Sequence, residues 1–203
     1  MSLSPVIETL DVSDFPSSAS GSPPVVVFVA AFARQENEEA ARWLIDMIVP
    51  RIRESIPGIK IRFAGSHPPT WLANSKAAGF EVTGYLKNMS DAYRDASCVI
   101  VPLRRGAGLK FKTIQAMSLG VPVVSTTIGA EGILELCGFE PFAVEDDAER
   151  FADAILDAVS ISERQVRDLR RQAHSIRGAV NLKLKVEEQV SRMTALHSSR
   201  SHT

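Results

Sequence analysis

Apolar and polar residues occur along the chain in blocks that predict strands and helices in turn. Val25–Ala31 is a continuous apolar run rich in β-branched residues, which is typical of a strand buried on both faces. Residues 37–55 then place apolar side chains on one face at helical spacing, which predicts an amphipathic helix. Asn37 is its predicted N-cap, and Pro50 is expected to kink or split this helix before its last turn.

The same alternation continues to the C-terminal region. The further predicted strands are Lys60–Ala64, Phe80–Val82, Cys98–Leu103, Pro122–Ser125 and Phe142–Val144. The further predicted helices are Thr70–Ala78, Met89–Ala96, Phe111–Leu119, one opened by a capping box at Asp146–Glu149 and ending near Ser160, one starting at a second capping box at Ser162–Gln165, and a helical tail over 179–197. Strands that alternate with helices predict an α/β fold, a Rossmann-like doubly wound parallel sheet of about six strands with helices on both faces and C-terminal helices.

The N-terminal region differs in composition from the rest. Residues 4–10 predict a short strand or lead-in, and residues 11–24 are rich in Ser, Pro and Asp, which is typical of a linker. The chain is therefore divided into a linker over 1–24 and a folded domain over 25–203.

Composition narrows the class of protein. With 203 residues and a net charge of −1, the chain fits one domain and lacks the basic excess of a nucleic-acid binder. It contains no secretory signal and no apolar run near the ~20 residues that span a bilayer. Cys98 and Cys137 have no metal-ligand spacing and are interpreted as reduced core thiols, so we expect a cytoplasmic protein. Peripheral contact with the inner face of a membrane is the minor alternative.

The loop after the fourth strand carries the strongest chemical signal. Ligands of doubly wound sheets bind at the carboxyl ends of the strands, and there the sequence PLRRGAGLKFK combines two glycines with four cations within nine residues. Glycines let a ligand approach the backbone, a helix start favours an anion, and cations suit a diphosphate. The alternative is a turn shaped by glycine beside solvated cations. The position of this loop at the carboxyl end of a strand and its density of positive charge favour the anion site over that alternative.

The loop after the fifth strand, residues 126–132, is a weaker candidate. Its sequence TTIGAEG offers hydroxyls and one carboxylate that suit a ribose or sugar. Taken alone, an ordinary strand-to-helix connection explains it better.

Together these two loops carry a family resemblance. The run PLRRGAGLKFKTIQAMSLGVPVVSTTIGAEGI resembles the donor-site signature of GT-B glycosyltransferases, in the large retaining family called glycosyl transferases group 1 or family 4. The segment FEVTG followed by SDAY, the helix ending near Pro57, and LDVSDF at residues 10–15 are also similar to parts of that family. The resemblance identifies 1–24 as an inter-domain linker remnant and 25–203 as the C-terminal, nucleotide-sugar-binding domain.

The resemblance implies a function and a set of site residues. Such a domain binds a nucleoside-diphosphate sugar, here a UDP- or GDP-sugar, while an N-terminal domain absent from this chain holds the acceptor. Neither a metal nor a cofactor is expected, and the chain alone is expected not to transfer sugar. Lys112 matches the motif lysine and is the candidate catalytic residue. The implied substrate-binding residues are Arg104, Arg105, Gly106, Ala107, Gly108, Leu109, Lys110, Lys112, Gln115, Gly129, Glu131 and Gly132.

Two positions depart from the family pattern. Ala107 and Gln115 stand where many relatives carry glutamates, the second of which binds ribose hydroxyls. This departure motivates a second hypothesis, a degenerate nucleotide-binding or interaction module that kept the fold. A flavodoxin-like or receiver domain ranks last, because the acidic pocket of a receiver is missing. Arg34 is a further possible phosphate contact, and Trp43, Trp71 and the four histidines are interpreted as packing or surface residues.

Overall fold

A computed structural model describes residues 22–75, 79–88 and 90–200 of the chain, with the side chains of Ser90 and 182–200 excepted. The predicted strand at 4–10 and most of the predicted linker lie outside the described residues. The six strands are β1 (Val25–Val29), β2 (Lys60–Ala64), β3 (Phe80–Gly84), β4 (Cys98–Val101), β5 (Val123–Ser125) and β6 (Ala143–Val144). The helices are α1 (Gln35–Trp43), α2 (Val49–Ser55), α3 (Thr70–Ala73), α4 (Ser90–Tyr93), α5 (Phe111–Ser118), α6 (Ile133–Cys137), α7 (Ala148–Val159) and α8 (Glu163–Arg200).

All strand pairs in the sheet are parallel, in the order β3-β2-β1-β4-β5-β6. Val26 lies between Ile61 of β2 and Cys98 of β4, so β1 is central. The strand order reverses between β1 and β4, and this is where doubly wound sheets bind ligands. The predicted Rossmann-like α/β fold is confirmed.

The core forms because the central strands are apolar on both faces. All five residues of β1 are buried, and so are all four of β4, between two groups of helices. One group contains α2 and α7, which contact each other, and the other contains α5, α6 and α8. Cys98 and Cys137 are buried free thiols, as predicted.

The first long helix is interrupted as the position of Pro50 predicts. A π-helical turn, Leu44–Ile48, separates α1 from α2, and Pro50 is in the first turn of α2. Proline has no N–H to donate and its ring clashes with the carbonyl four residues earlier, so the widened turn removes that conflict.

Two predicted helix starts are wrong by one to three residues. α1 begins at Gln35 with Arg34 at the N-cap position, so Asn37 is not the cap; its Nδ2 instead donates to the carbonyl of Ala31 at 2.8 Å. At α7 the cap is Asp147, which accepts from the amides of Glu149 and Arg150. Tertiary contacts decide both cases, since each displaced polar side chain finds a partner in a loop rather than at the helix start.

The capping box at the start of α8 is confirmed. Ser162 Oγ accepts from the Gln165 amide at 3.4 Å, and Gln165 Oε1 accepts from the Ser162 amide at 3.0 Å. Within the described part of the chain, no helix is both long and apolar enough to cross a membrane.

Candidate functional site

The predicted anion loop lies at the carboxyl end of β4, beside the point where the strand order reverses. We call residues 104–108 the glycine loop; it connects β4 to α5 and is exposed throughout. Gly106 and Gly108 have φ angles of +121° and +79°, which other residues rarely adopt. The two glycines are therefore needed for the course of this backbone.

The backbone amides of this segment are open. Across residues 104–112, no N–H donates a hydrogen bond to any described part of the chain, and the N-cap position of α5, Lys110, makes no side-chain cap. The first turn of a helix leaves N–H groups without intrahelical partners, and their partial positive charge attracts anions. A row of free donors thus leads from the glycine loop into α5.

Both ends of the glycine loop are fixed to the rest of the domain. Before it, Thr126 Oγ1 donates to the carbonyl of Leu103 and accepts from the amide of Gly129 at 3.1 Å. After it, Lys110 Nζ donates to the carbonyl of Gly108 and lies 3.7 Å from the Glu131 carboxylate. These contacts fix the two ends of the glycine loop and leave its amides accessible.

Lys112 is the cation with the most distinctive environment. Its side chain is partly buried in the first turn of α5, and it forms no hydrogen bond or ion pair with the described residues. Burial lowers its pKa to about 8, with a smaller contribution from the positive charge of Arg34. Because no described carboxylate pairs with this ammonium, a bound anion would be its natural partner.

The two arginines of the loop turn towards α1. Arg105 forms two contacts of 2.6 Å with the carboxylate of Glu39. The Arg104 guanidinium lies 5.4 Å from the ring centroid of Trp43. Neither contact follows from the spacing of the sequence, since Glu39 and Arg105 are 66 positions apart.

Gln115 accepts a hydrogen bond from a buried tyrosine. The Tyr93 hydroxyl donates to Gln115 Oε1 at 3.4 Å. Burial raises the pKa of Tyr93, so the hydroxyl remains a donor. Gln115 is partly buried and lies three residues after Lys112 on α5, so the two side chains share a face.

Some residues of the loop after β5 are buried and others are exposed. Gly129 is buried, and a Cβ there would lie 2.4 Å from Ser125 Oγ and 2.6 Å from the Val101 carbonyl oxygen. Packing alone therefore explains this glycine. Glu131 and Gly132 are exposed at the start of α6, where Gly132 has a φ of +72°.

Several residues of the site region were not singled out in the sequence. The fold brings Glu39 and Tyr93 to it, and Thr126, which begins the weaker candidate loop of the sequence, binds the end of the β4 segment. Asp146 accepts from the amide and hydroxyl of Thr127 at 2.9 and 2.6 Å and so ties the β5 loop to the start of α7. The sequence shows Asp146 and Asp147 before α7 as residues that could cap the helix, but it does not show that Asp146 binds Thr127.

Other parts of the molecule are weaker candidates for a functional site. His67 is an exposed loop residue, and in the described ranges no three His, Cys, Asp or Glu side chains are grouped to hold a metal. A cleft of about 300 Å³ lies between Pro23, Lys60 and Pro122. It opens at the amino ends of the strands, away from the edge where such sheets bind ligands.

Comparisons with known proteins show the family of this chain. The sequence profile described as "Glycosyl transferases group 1" matches residues 23–160. A relative from Klebsiella pneumoniae, described as an uncharacterized 44.6 kDa protein in the cps region, is 30% identical over 141 residues, which are 65% of this chain and 36% of that protein. The chain thus spans about a third of the length of this relative.

Solved structures show the same fold at low identity. HepE from Anabaena, in complex with UDP and glucose, superposes with a TM-score of 0.65 at 11% identity, over 90% of this chain and 55% of that one. The pneumococcal O-GlcNAc transferase GtfA, in complex with UDP and GlcNAc, gives 0.62 at 14%, over 89% and 37%. With a GT-B-type Rossmann-like sheet and a profile match over most of its length, this chain belongs to the glycosyl transferases group 1 family.

Proposed function

We propose that this chain is the nucleotide-sugar-binding half of a retaining glycosyltransferase. In this role, residues 25–203 bind a nucleoside-diphosphate sugar and a separate acceptor-binding domain completes the active site. The observation that carries the proposal is the row of amides over 104–112 and the partly buried Lys112 at its end, none of which has a partner among the described residues. The two fold relatives described above were solved with UDP and a sugar, which supports this ligand class.

The chemistry follows from the charge that develops in the reaction. When the bond between the sugar and the diphosphate breaks, negative charge grows on the leaving diphosphate. Fixed N–H groups and a lysine that is withdrawn from water stabilise that charge without having to reorganise. Lys112 and the glycine-loop amides would supply this stabilisation, Gln115 would contact the nucleoside, and Glu131 and Gly132 would lie near the sugar.

The setting we propose is polysaccharide assembly in the cytoplasm, since the Klebsiella relative is a cps-region protein. We expect the chain alone to bind the donor without transferring sugar, because the acceptor would be held elsewhere. Sugar transfer by the isolated chain, followed by release of UDP or GDP, would contradict that division of labour.

Calorimetric titration with UDP and GDP tests the proposal. We expect saturable binding of at least one of them, weakened by about 10- to 100-fold in Lys112→Ala, as for the loss of a hydrogen bond to a charged group. Lys60→Ala is the matched control, since Lys60 is exposed at the opposite edge of the sheet. The absence of binding by the wild-type chain would favour the degenerate module that Ala107 and Gln115 suggest.

A further inference from the structure

The arginines of the glycine loop make contacts that do not point towards a ligand. Arg105 places Nε and Nη2 each 2.6 Å from a different oxygen of Glu39. A paired arrangement of this kind fixes the guanidinium in both position and orientation. The pair with Glu39 also occupies the Nε and Nη2 donors of the guanidinium, which would otherwise be available to a phosphate.

The contacts of the loop converge on one face of α1. Glu36, Glu39 and Trp43 are three and four residues apart, so their side chains project from the same side of the helix. A Cβ on Gly106 would lie 3.9 Å from Glu36 Cγ, and Arg104 lies over Trp43. The glycine loop therefore rests on α1, and Arg105–Glu39 is the one ion pair that joins them among the described residues.

The loop needs such a restraint because it has little else to hold it. Its own amides donate to no described group, and its two glycines permit many backbone conformations. Thr126 and Lys110 fix only its ends. An anion site made of backbone amides gains affinity when those amides are held in the binding geometry beforehand.

We propose that Arg105 and Glu39 act as positioning residues, which clamp the glycine loop to α1 so that its amides and Lys112 meet the diphosphate. The inference rests on the proposed function and changes the expected role of Arg105 from a direct phosphate contact to a support of the backbone. The Arg104–Trp43 contact is a second attachment of the same loop. The clamp also neutralises Glu39, whose charge would otherwise repel an anion at this edge.

Two double variants test the clamp without changing the net charge. Glu39→Gln with Arg105→Gln removes the pair, and Glu39→Arg with Arg105→Glu reverses it. We expect the double glutamine variant, here called the neutral pair, to bind UDP or GDP about two- to fivefold more weakly. This factor corresponds to the free energy that a well-formed exposed ion pair contributes. We expect the reversed pair to bind within about twofold of wild type.

The alternatives give different results in the same titrations. If Arg105 contacts the diphosphate directly, both variants lose affinity alike, by about tenfold or more. If the pair only decorates the surface, neither variant changes the affinity. Either result overturns the clamp.

A second measurement keeps the test independent of ligand. The 15N-labelled full chain is used for this measurement. The amide resonances of Gly106 and Gly108 report the conformation of the glycine loop, and the indole resonance of Trp43 reports its contact with α1. We expect these resonances to shift in the neutral pair and to return towards their wild-type positions in the reversed pair, without nucleotide. If the wild-type chain binds no nucleotide but these shifts occur, the proposed function fails and the clamp stands; unchanged resonances in the neutral pair overturn the clamp.

Discussion

At the scale of single residues, burial gives Lys112 a different chemistry from the other cations of the site. Arg104 and Arg105 are exposed and have partners, whereas Lys112 is partly buried and pairs with no carboxylate in the described part of the chain. Removing an ammonium from water disfavours its charged form, so the pKa of Lys112 falls to about 8. A group with this pKa is protonated at neutral pH yet loses its proton within the working range of a protein.

This pKa predicts a pH dependence of both binding and stability. Because an anion needs the protonated form, we expect the affinity for UDP or GDP, measured by calorimetry, to fall by about twofold between pH 7 and 8 and more steeply above pH 8. The lowered pKa means that the native state binds fewer protons than the unfolded state between pH 8 and 10.5. This lysine therefore makes the free energy of unfolding rise with pH in that window.

The control for that prediction is Lys112→Met, which keeps the volume of the side chain and removes the titrating group. Its residual nucleotide affinity should not fall between pH 8 and 9.5. An equal fall in wild type and variant would assign the titration to another group.

At the scale of elements, the start of α7 depends on two polar side chains that have a choice of partners. Asp146 and Asp147 are adjacent in sequence, yet Asp147 caps α7 and Asp146 binds Thr127. The sequence predicts this helix and its end near Ser160 correctly. The neighbouring β5 loop decides which aspartate caps it, because only one of them can reach Thr127 while the other remains at the helix end.

The cap of α7 gives a stability prediction. Asp147→Ala removes the acceptor for the amides of Glu149 and Arg150, and we expect a loss of about 1 kcal/mol in the free energy of unfolding. Urea denaturation followed by circular dichroism measures it. Asp153→Ala is the control, since Asp153 is exposed within α7 and alanine favours a helix. A loss in the control as large as in Asp147→Ala would argue against the capping contribution.

At the scale of the whole molecule, the site is an edge of the sheet rather than a closed pocket. It is built from the loops after β1, β4 and β5, which the strand order brings side by side. A nucleoside diphosphate bound to these three loops would bind the folded domain and not the unfolded chain. We therefore expect its binding to stabilise the entire domain.

Thermal unfolding measures that linkage. At a ligand concentration of 100 Kd we expect about 2.7 kcal/mol of stabilisation, or a rise of about 5–10 °C in Tm for a domain of this size. The rise should disappear with uridine, which lacks the diphosphate. An equal rise with uridine would place the binding energy in the nucleoside and not in the loop.

The sequence by itself determined the strand and helix blocks, the doubly wound fold and the position of the glycine loop. These features follow from periodicity and from glycine and cation spacing, which are local properties of the chain. Only the tertiary structure decided which of these cations have a partner within the domain, because that depends on residues far apart in sequence. Glu39 pairs with Arg105 and Tyr93 donates to the oxygen of Gln115, whereas Lys112 has no partner among the residues that the structure describes. The physical reason is that charge and hydrogen-bonding capacity are satisfied by proximity in space, which the fold creates and the order of residues does not display.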